Sequence, residues 1–151
     1  MIPVDQEFLH DDNDDVVGDC VRASVASILN LPLSAVPHFV LQKHRAMMAM
    51  RHWLAERGLV VVEWKRKTRP LCYYLAEGWS PRELRHMVVM FGDELAHDPH
   101  PSRSGVDIDT VLLLVPIDIG EAMTHLDPEG PKVGSPADYF RRYVKDLRNE
   151  S

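Results

Sequence analysis

Cys20 follows Gly18-Asp19 and opens the run CVRASVASILNL, in which Val21, Val25, Ile28 and Leu29 recur at helical spacing. The first turn of a helix presents unpaired N–H groups and the positive end of the macrodipole, and both stabilise a thiolate. Such a thiol is a candidate nucleophile, more so with an imidazolium beside it. His86 supplies an imidazole at the start of the apolar run HMVVMF, and Asp98 closes ELAHD twelve residues later. If the two runs pair as a hairpin through Gly92-Asp93, His86 and Asp98 meet at one open end of a sheet. The carboxylate then holds one ring nitrogen while the other faces Cys20. That is the nucleophile, base and orienting group of covalent acyl transfer. Each residue alone has a plainer reading: a packed helical cysteine, a capped histidine, an aspartate opening an Asp-Pro turn.

Further groups fall close to this triplet. His97 and His100 flank Asp98, and Gly18-Asp19 leaves room for a substrate backbone, so Asp19, His97 and His100 are expected to contact substrate. Arg82, in the loop Trp79-Ser80-Pro81-Arg82 ahead of the histidine strand, reaches over the same cleft and suits a substrate carboxylate. The histidines also invite a metal reading. Zinc, however, needs three or more ligands converging on one point. His97 and Asp98 are strand neighbours pointing to opposite faces, and the cysteines lack CxxC spacing. No metal and no cofactor is expected. Cys72, beside Tyr73 and Tyr74, reads as a packed core thiol.

The elements that must position these groups follow from local patterns. Asp19 stands where a helix N-cap belongs, and Pro32 ends the cysteine helix. A second helix is predicted over Val40–Arg57, with Gly58 at its C′ position and Met47, Met48, Met50 and Trp53 in the core. Strands are predicted at Leu59–Trp64, Leu71–Ala76, His86–Phe91, Glu94–Asp98 and Val111–Ile117. Ser135-Pro136 opens a closing helix, Tyr139–Arg148. Helices first, then strands, then a helix describe an α+β domain with helices packed on an antiparallel sheet.

Composition bounds the function. The chain has 151 residues with 17 Lys+Arg against 23 Asp+Glu, a formal charge of −6. That length suits a single domain, 1–151. No run approaches the roughly 20 apolar residues of a membrane span, and the first residues lack the features of a signal peptide. Two cysteines are too few for a disulfide scaffold, so a reducing, cytoplasmic setting is expected. The acidic balance argues against nucleic acid; only the cluster Lys65, Arg66, Lys67 and Arg69 favours it. An acidic run from Asp5 to Asp19 reads as a solvated loop or as the mouth of a site for a cationic or amine-bearing substrate.

The strings GDCVRASVASILNLPLSAVPHF and HMVVMFGDELAHDPHPSRSG resemble the papain-like cysteine peptidase superfamily over roughly residues 1–120. The resemblance is nearest to small bacterial and phage-type relatives of the bacteriocin-leader peptidases. In that superfamily a cysteine begins the central helix, a histidine begins a sheet strand, and an Asp or Asn follows on the next strand. Cys20, His86 and Asp98-Pro99 match those positions in order. The resemblance implies a papain-like fold, with the cysteine helix central and packed against the sheet. It also implies an oxyanion hole made by a Gln side chain and the cysteine N–H. Gln6 is the only upstream Gln, fourteen residues before Cys20, and Asn13 lies nearer. The activity so implied is hydrolysis of, or acyl transfer from, a peptide, amide or thioester substrate. Because the superfamily also holds inactive binding members, a silent interaction protein is the alternative.

Overall fold

The computed structural model describes residues 1–10, 16–65 and 68–117. Met1–Val115 forms one compact unit, and Pro116–Ser151 is described only at its first two residues. The predicted helix Tyr139–Arg148, the acids Asp11, Asp12, Asp14 and Asp15, Asn13, and Arg66-Lys67 lie outside the described residues.

Helix α1 runs Cys20–Leu29, close to the prediction. It ends because Asn30 turns left-handed at φ 54, which an Asn side chain tolerates. The Leu31 N–H then reaches back to Ala26 O, closing the last turn. Ala23, Ser24, Val25, Ala26 and Ser27 are all buried. Their small size lets the helix lie close on the sheet, where Ser24 Oγ donates to Met87 O at 3.0 Å.

The predicted second helix is broken. A 3₁₀ segment, Phe39–Arg45, precedes α2, Ala46–Ala55, and the kink falls inside that segment, at Lys43 with φ 51 and ψ −121. No Gly or Pro marks the break, so composition does not announce it. Met50 and Leu54, one turn apart, are buried, and Phe39 packs edge-on to Trp53 at 5.8 Å. Met48 is 62% exposed and Met47 37%, so these two are not core as expected. Gly58 takes the left-handed conformation predicted for it, at φ 72.

Five strands follow: β1 Leu59–Glu63, β2 Tyr73–Trp79, β3 Arg85–Phe91, β4 Glu94–His97 and β5 Asp107–Pro116. They form one antiparallel sheet in the order β1-β5-β2-β3-β4. The hairpin of β3 and β4 through Gly92-Asp93 is as predicted, with Gly92 at φ 57. β2 is displaced from its predicted span, Leu71–Ala76, and absorbs Glu77, Gly78 and Trp79. Gly78 looks like a strand breaker, but the strand needs it. A Cβ there would stand 1.8 Å from Asp107 O, where β2 bulges against β5. β5 begins four residues early because Asp107 and Asp109 alternate outward as an ordinary half-exposed strand.

α1 packs on β3 and β2, and α2 on β1. Val25, Phe39, Met50, Leu54, Leu75, Met87, Val89 and Leu112 form the core between helices and sheet. The observed architecture is therefore the predicted α+β class. Gly78 also pairs with His86 across β2 and β3, which links sheet geometry to the chemistry below. Gly78→Ala is expected to cost about 3 kcal/mol of stability through this backbone clash, read as a lowered urea midpoint. An unchanged midpoint would contradict the close β2–β5 crossing.

Candidate active site

Cys20 is the first residue of α1, one turn ahead of Ser24. The Ser24 bond to Met87 O fixes that end of the helix beside β3, where His86 is the neighbouring residue. His86 is only 4% exposed. Its Nε2 donates to Asp98 Oδ1 at 2.7 Å. Cys20 is its other hydrogen-bonding and charge partner. The triplet predicted from spacing is thus assembled around one buried ring.

Asp98 is fully used. Oδ1 also accepts the His100 N–H at 2.8 Å, and Oδ2 accepts the Gly105 N–H at 2.8 Å. Burial opposes its charge, but these bonds and the His86 cation prevail and bring its pKa down to about 2. For His86, burial again opposes the charge. Hydrogen bonds and charges from Asp98 and Cys20 outweigh it and push the imidazole up to about 9. His86 is therefore a cation at neutral pH.

Gln6 reaches the site on an N-terminal segment stitched to both halves of the triad. Gln6 N donates to Pro99 O at 3.1 Å, and Gln6 Nε2 donates to Phe8 O at 2.6 Å. Phe8 N in turn donates to Asp19 Oδ1 at 2.9 Å, and Asp19 N to Phe8 O at 3.2 Å. Asp19 occupies the predicted cap position but makes no side-chain cap bond to α1. Its buried carboxylate serves the segment carrying Gln6 instead, with Arg22 Nη1 at 3.4 Å. His97 behaves alike: its Nε2 donates to Val4 O at 2.9 Å and lies 3.5 Å from Asp5.

A cleft of about 660 Å³ opens over these groups. Gln6, Gly18, Cys20, His86, Arg82 and His100 all contribute to its wall, whereas Asp19 and His97 do not. Gly18 keeps this side open, because a Cβ there would meet His10 N at 3.1 Å and Gln6 Nε2 at 3.6 Å. Much of the remaining wall is apolar, including Val21, Met47, Met50 and Met87. Among the described residues no three His, Cys, Asp or Glu side chains are grouped to hold a metal ion.

Two positioning residues have no sequence signal. Arg103 donates to Asp98 O and to Asp5 Oδ2, tying the loop after β4 to the N-terminal segment. Gly105 offers only a backbone N–H. Arg103 reaches Asp5 across 98 residues, and Gly105 acts through a backbone group that its residue type does not announce. No protein-family model matches this chain, and no curated protein or solved structure matches it either.

The raised His86 pKa fixes a sign. Stabilisation from the charged ring is fully present below its ordinary 6.5 and is lost as pH rises through about 9. NMR titration of His86 is expected to give a midpoint near about 9, falling toward 6.5 in Asp98→Asn. The urea midpoint should decline over the same interval. A ring titrating at 6.5 in the wild-type chain would contradict the pairing.

Proposed function

We propose that this chain is a papain-like cysteine enzyme that forms a covalent thioester at Cys20 and hydrolyses or transfers the acyl group of a peptide, amide or thioester substrate. The observation that carries this reading is the buried His86 ring held by Asp98 and facing Cys20 at the wall of an open cleft. A buried imidazolium beside a sulfur has no packing purpose, since burial alone would discharge it. A thiol at a helix N-terminus beside that cation is set up as a nucleophile.

In the proposed cycle the Cys20 sulfur attacks the acyl carbon and the carbonyl electron pair moves onto oxygen. The Cys20 N–H and the second Gln6 amide N–H receive that oxyanion. Collapse breaks the bond to the amine or thiol leaving group, which takes its proton from His86. Water or an amine then attacks the thioester with His86 accepting the proton, and Cys20 is released. Asp98 stays charged throughout and fixes the ring. A nucleophilic thiol needs a reducing setting, for which the cytoplasm is the simplest choice.

The second reading is a silent binding protein on the same scaffold. It is favoured by one detail: Gln6 Nε2 already donates to Phe8 O, and its Oε1 is buried without a partner among the described residues. Alkylation kinetics separate the two. In a Cys72→Ala background, iodoacetamide is expected to modify Cys20 rapidly at pH 6, and His86→Ala should slow it roughly tenfold or more. A Cys20 thiol that is unreactive at pH 6, or indifferent to His86→Ala, overturns the enzymatic reading and leaves the binding one.

A further inference from the structure

The described wall of the cleft is charged against the sign of the chain. The sequence carries −6, yet this wall holds Lys43, Arg82 and Arg85 against a single carboxylate, Glu77. Glu77 is already taken by Arg85, at 2.9 Å. Arg85 is further engaged by Asp109, outside the cleft. Lys43 and Arg82 have no carboxylate partner among the described residues.

Arg82 lies on the His86 side. It is half-buried, and its Nη1 donates to Ser102 Oγ at 2.7 Å. Ser102 Oγ stands 2.9 Å from His100 Nδ1, and the His100 ring meets the His86 ring edge-on at 6.0 Å. The Ser102 N–H donates to the same Nδ1 at 3.0 Å, so the His100 proton sits on Nε2. A guanidinium with most of its fork unused among the described residues and a neutral imidazole donor thus stand together beside the reacting pair. Guanidinium forks match carboxylates. The apolar side chains Val21, Met47, Met50 and Met87 supply a wall for the body of a substrate.

We propose that the substrate acylating Cys20 carries its own carboxylate on an apolar body, and that Arg82, assisted by His100, receives this carboxylate. The proposal rests on the acyl-transfer reading and gives it a substrate class. It reverses the cationic substrate suggested by the acidic run, whose members Asp11, Asp12, Asp14 and Asp15 lie outside the described residues.

The test uses the full chain carrying Cys72→Ala and two phenyl thioesters of equal length, one of glutaric acid as its monoanion and one of pentanoic acid. In each reaction the bond from Cys20 Sγ to the acyl carbon forms, the bond from the acyl carbon to the phenylthio sulfur breaks, and thiophenolate leaves while His86 keeps its proton. Intact-mass kinetics are expected to show the glutaryl ester acylating Cys20 about tenfold faster than the pentanoyl ester. Arg82→Gln should erase most of that ratio, measured within the same variant, and Arg82→Lys should keep part of it. Molar salt should shrink it in the parent chain. Equal rates, or a faster pentanoyl ester, in a chain that iodoacetamide alkylates at Cys20 overturn the substrate class and leave acyl transfer standing. A chain that neither ester nor iodoacetamide modifies at Cys20 overturns both.

Discussion

A buried carboxylate is the constraint on which the rest of this unit depends. Asp98 is 1% exposed and carries a charge that the interior tolerates only when paired. The chain satisfies it from three directions: the ring of His86 on the neighbouring strand, and the backbone N–H groups of His100 and Gly105. Pro99 and Pro101 prevent this stretch from continuing β4, so its free N–H groups need an acceptor outside the sheet. Asp98 is that acceptor. One side chain therefore ends a strand, shapes the following loop and orients the imidazole. Arg103, bridging Asp98 O and Asp5, carries the same restraint to the N-terminal segment.

Close approach is the second constraint, and it works through small residues. α1 lies near enough to β3 for Ser24 to reach Met87 O because its buried face carries only Ala, Ser and Val. Across the sheet, Gly78 allows β5 to cross β2 at a separation no Cβ would permit. Both contacts lie next to His86, by sequence for Met87 and by strand pairing for Gly78. Cys20 and His86 are thus brought together by backbone distances that larger side chains would lengthen. The buried Asp19 completes the arrangement by fastening Phe8, whose carbonyl in turn holds the Gln6 amide.

What could be read from sequence was local. The cysteine helix shows in the spacing of Val21, Val25 and Ile28, and the β3–β4 hairpin in an apolar run followed by Gly92-Asp93. The meeting of His86 with Asp98 could be anticipated because both belong to that one hairpin. Most of what could not be read was set by distant partners. Lys43 breaks a helical pattern without a Gly or Pro, and Gly78 resembles a breaker until Asp107 is placed beside it. Asp19 has the residue type and position of a cap, yet a backbone N–H eleven residues upstream takes its carboxylate. His97, expected at the substrate because it stands beside Asp98, is engaged by the carbonyl of Val4 instead. For Gly78, Asp19 and His97 the deciding neighbour is far along the chain, and that information is absent from any local window.

The two imidazoles at the site show how hydrogen bonding assigns roles to like residues. His86 and His100 stand 6.0 Å apart and share Asp98 Oδ1 as an acceptor. His86 reaches it with its ring, so the carboxylate's charge stabilises the imidazolium directly. His100 reaches it with its backbone N–H, while its own ring nitrogen accepts from Ser102. Burial lowers the His100 pKa, and the charges of Arg82 and His86 lower it further. One ring is therefore held charged and the other neutral. A second cation at His100 would compete with His86 for the same carboxylate and weaken the bond that orients it. A neutral His100 instead leaves the His86–Asp98 pair intact and retains an N–H for hydrogen bonding. The ring that meets the carboxylate is held charged against burial, and the ring that does not is left to burial and its cationic neighbours.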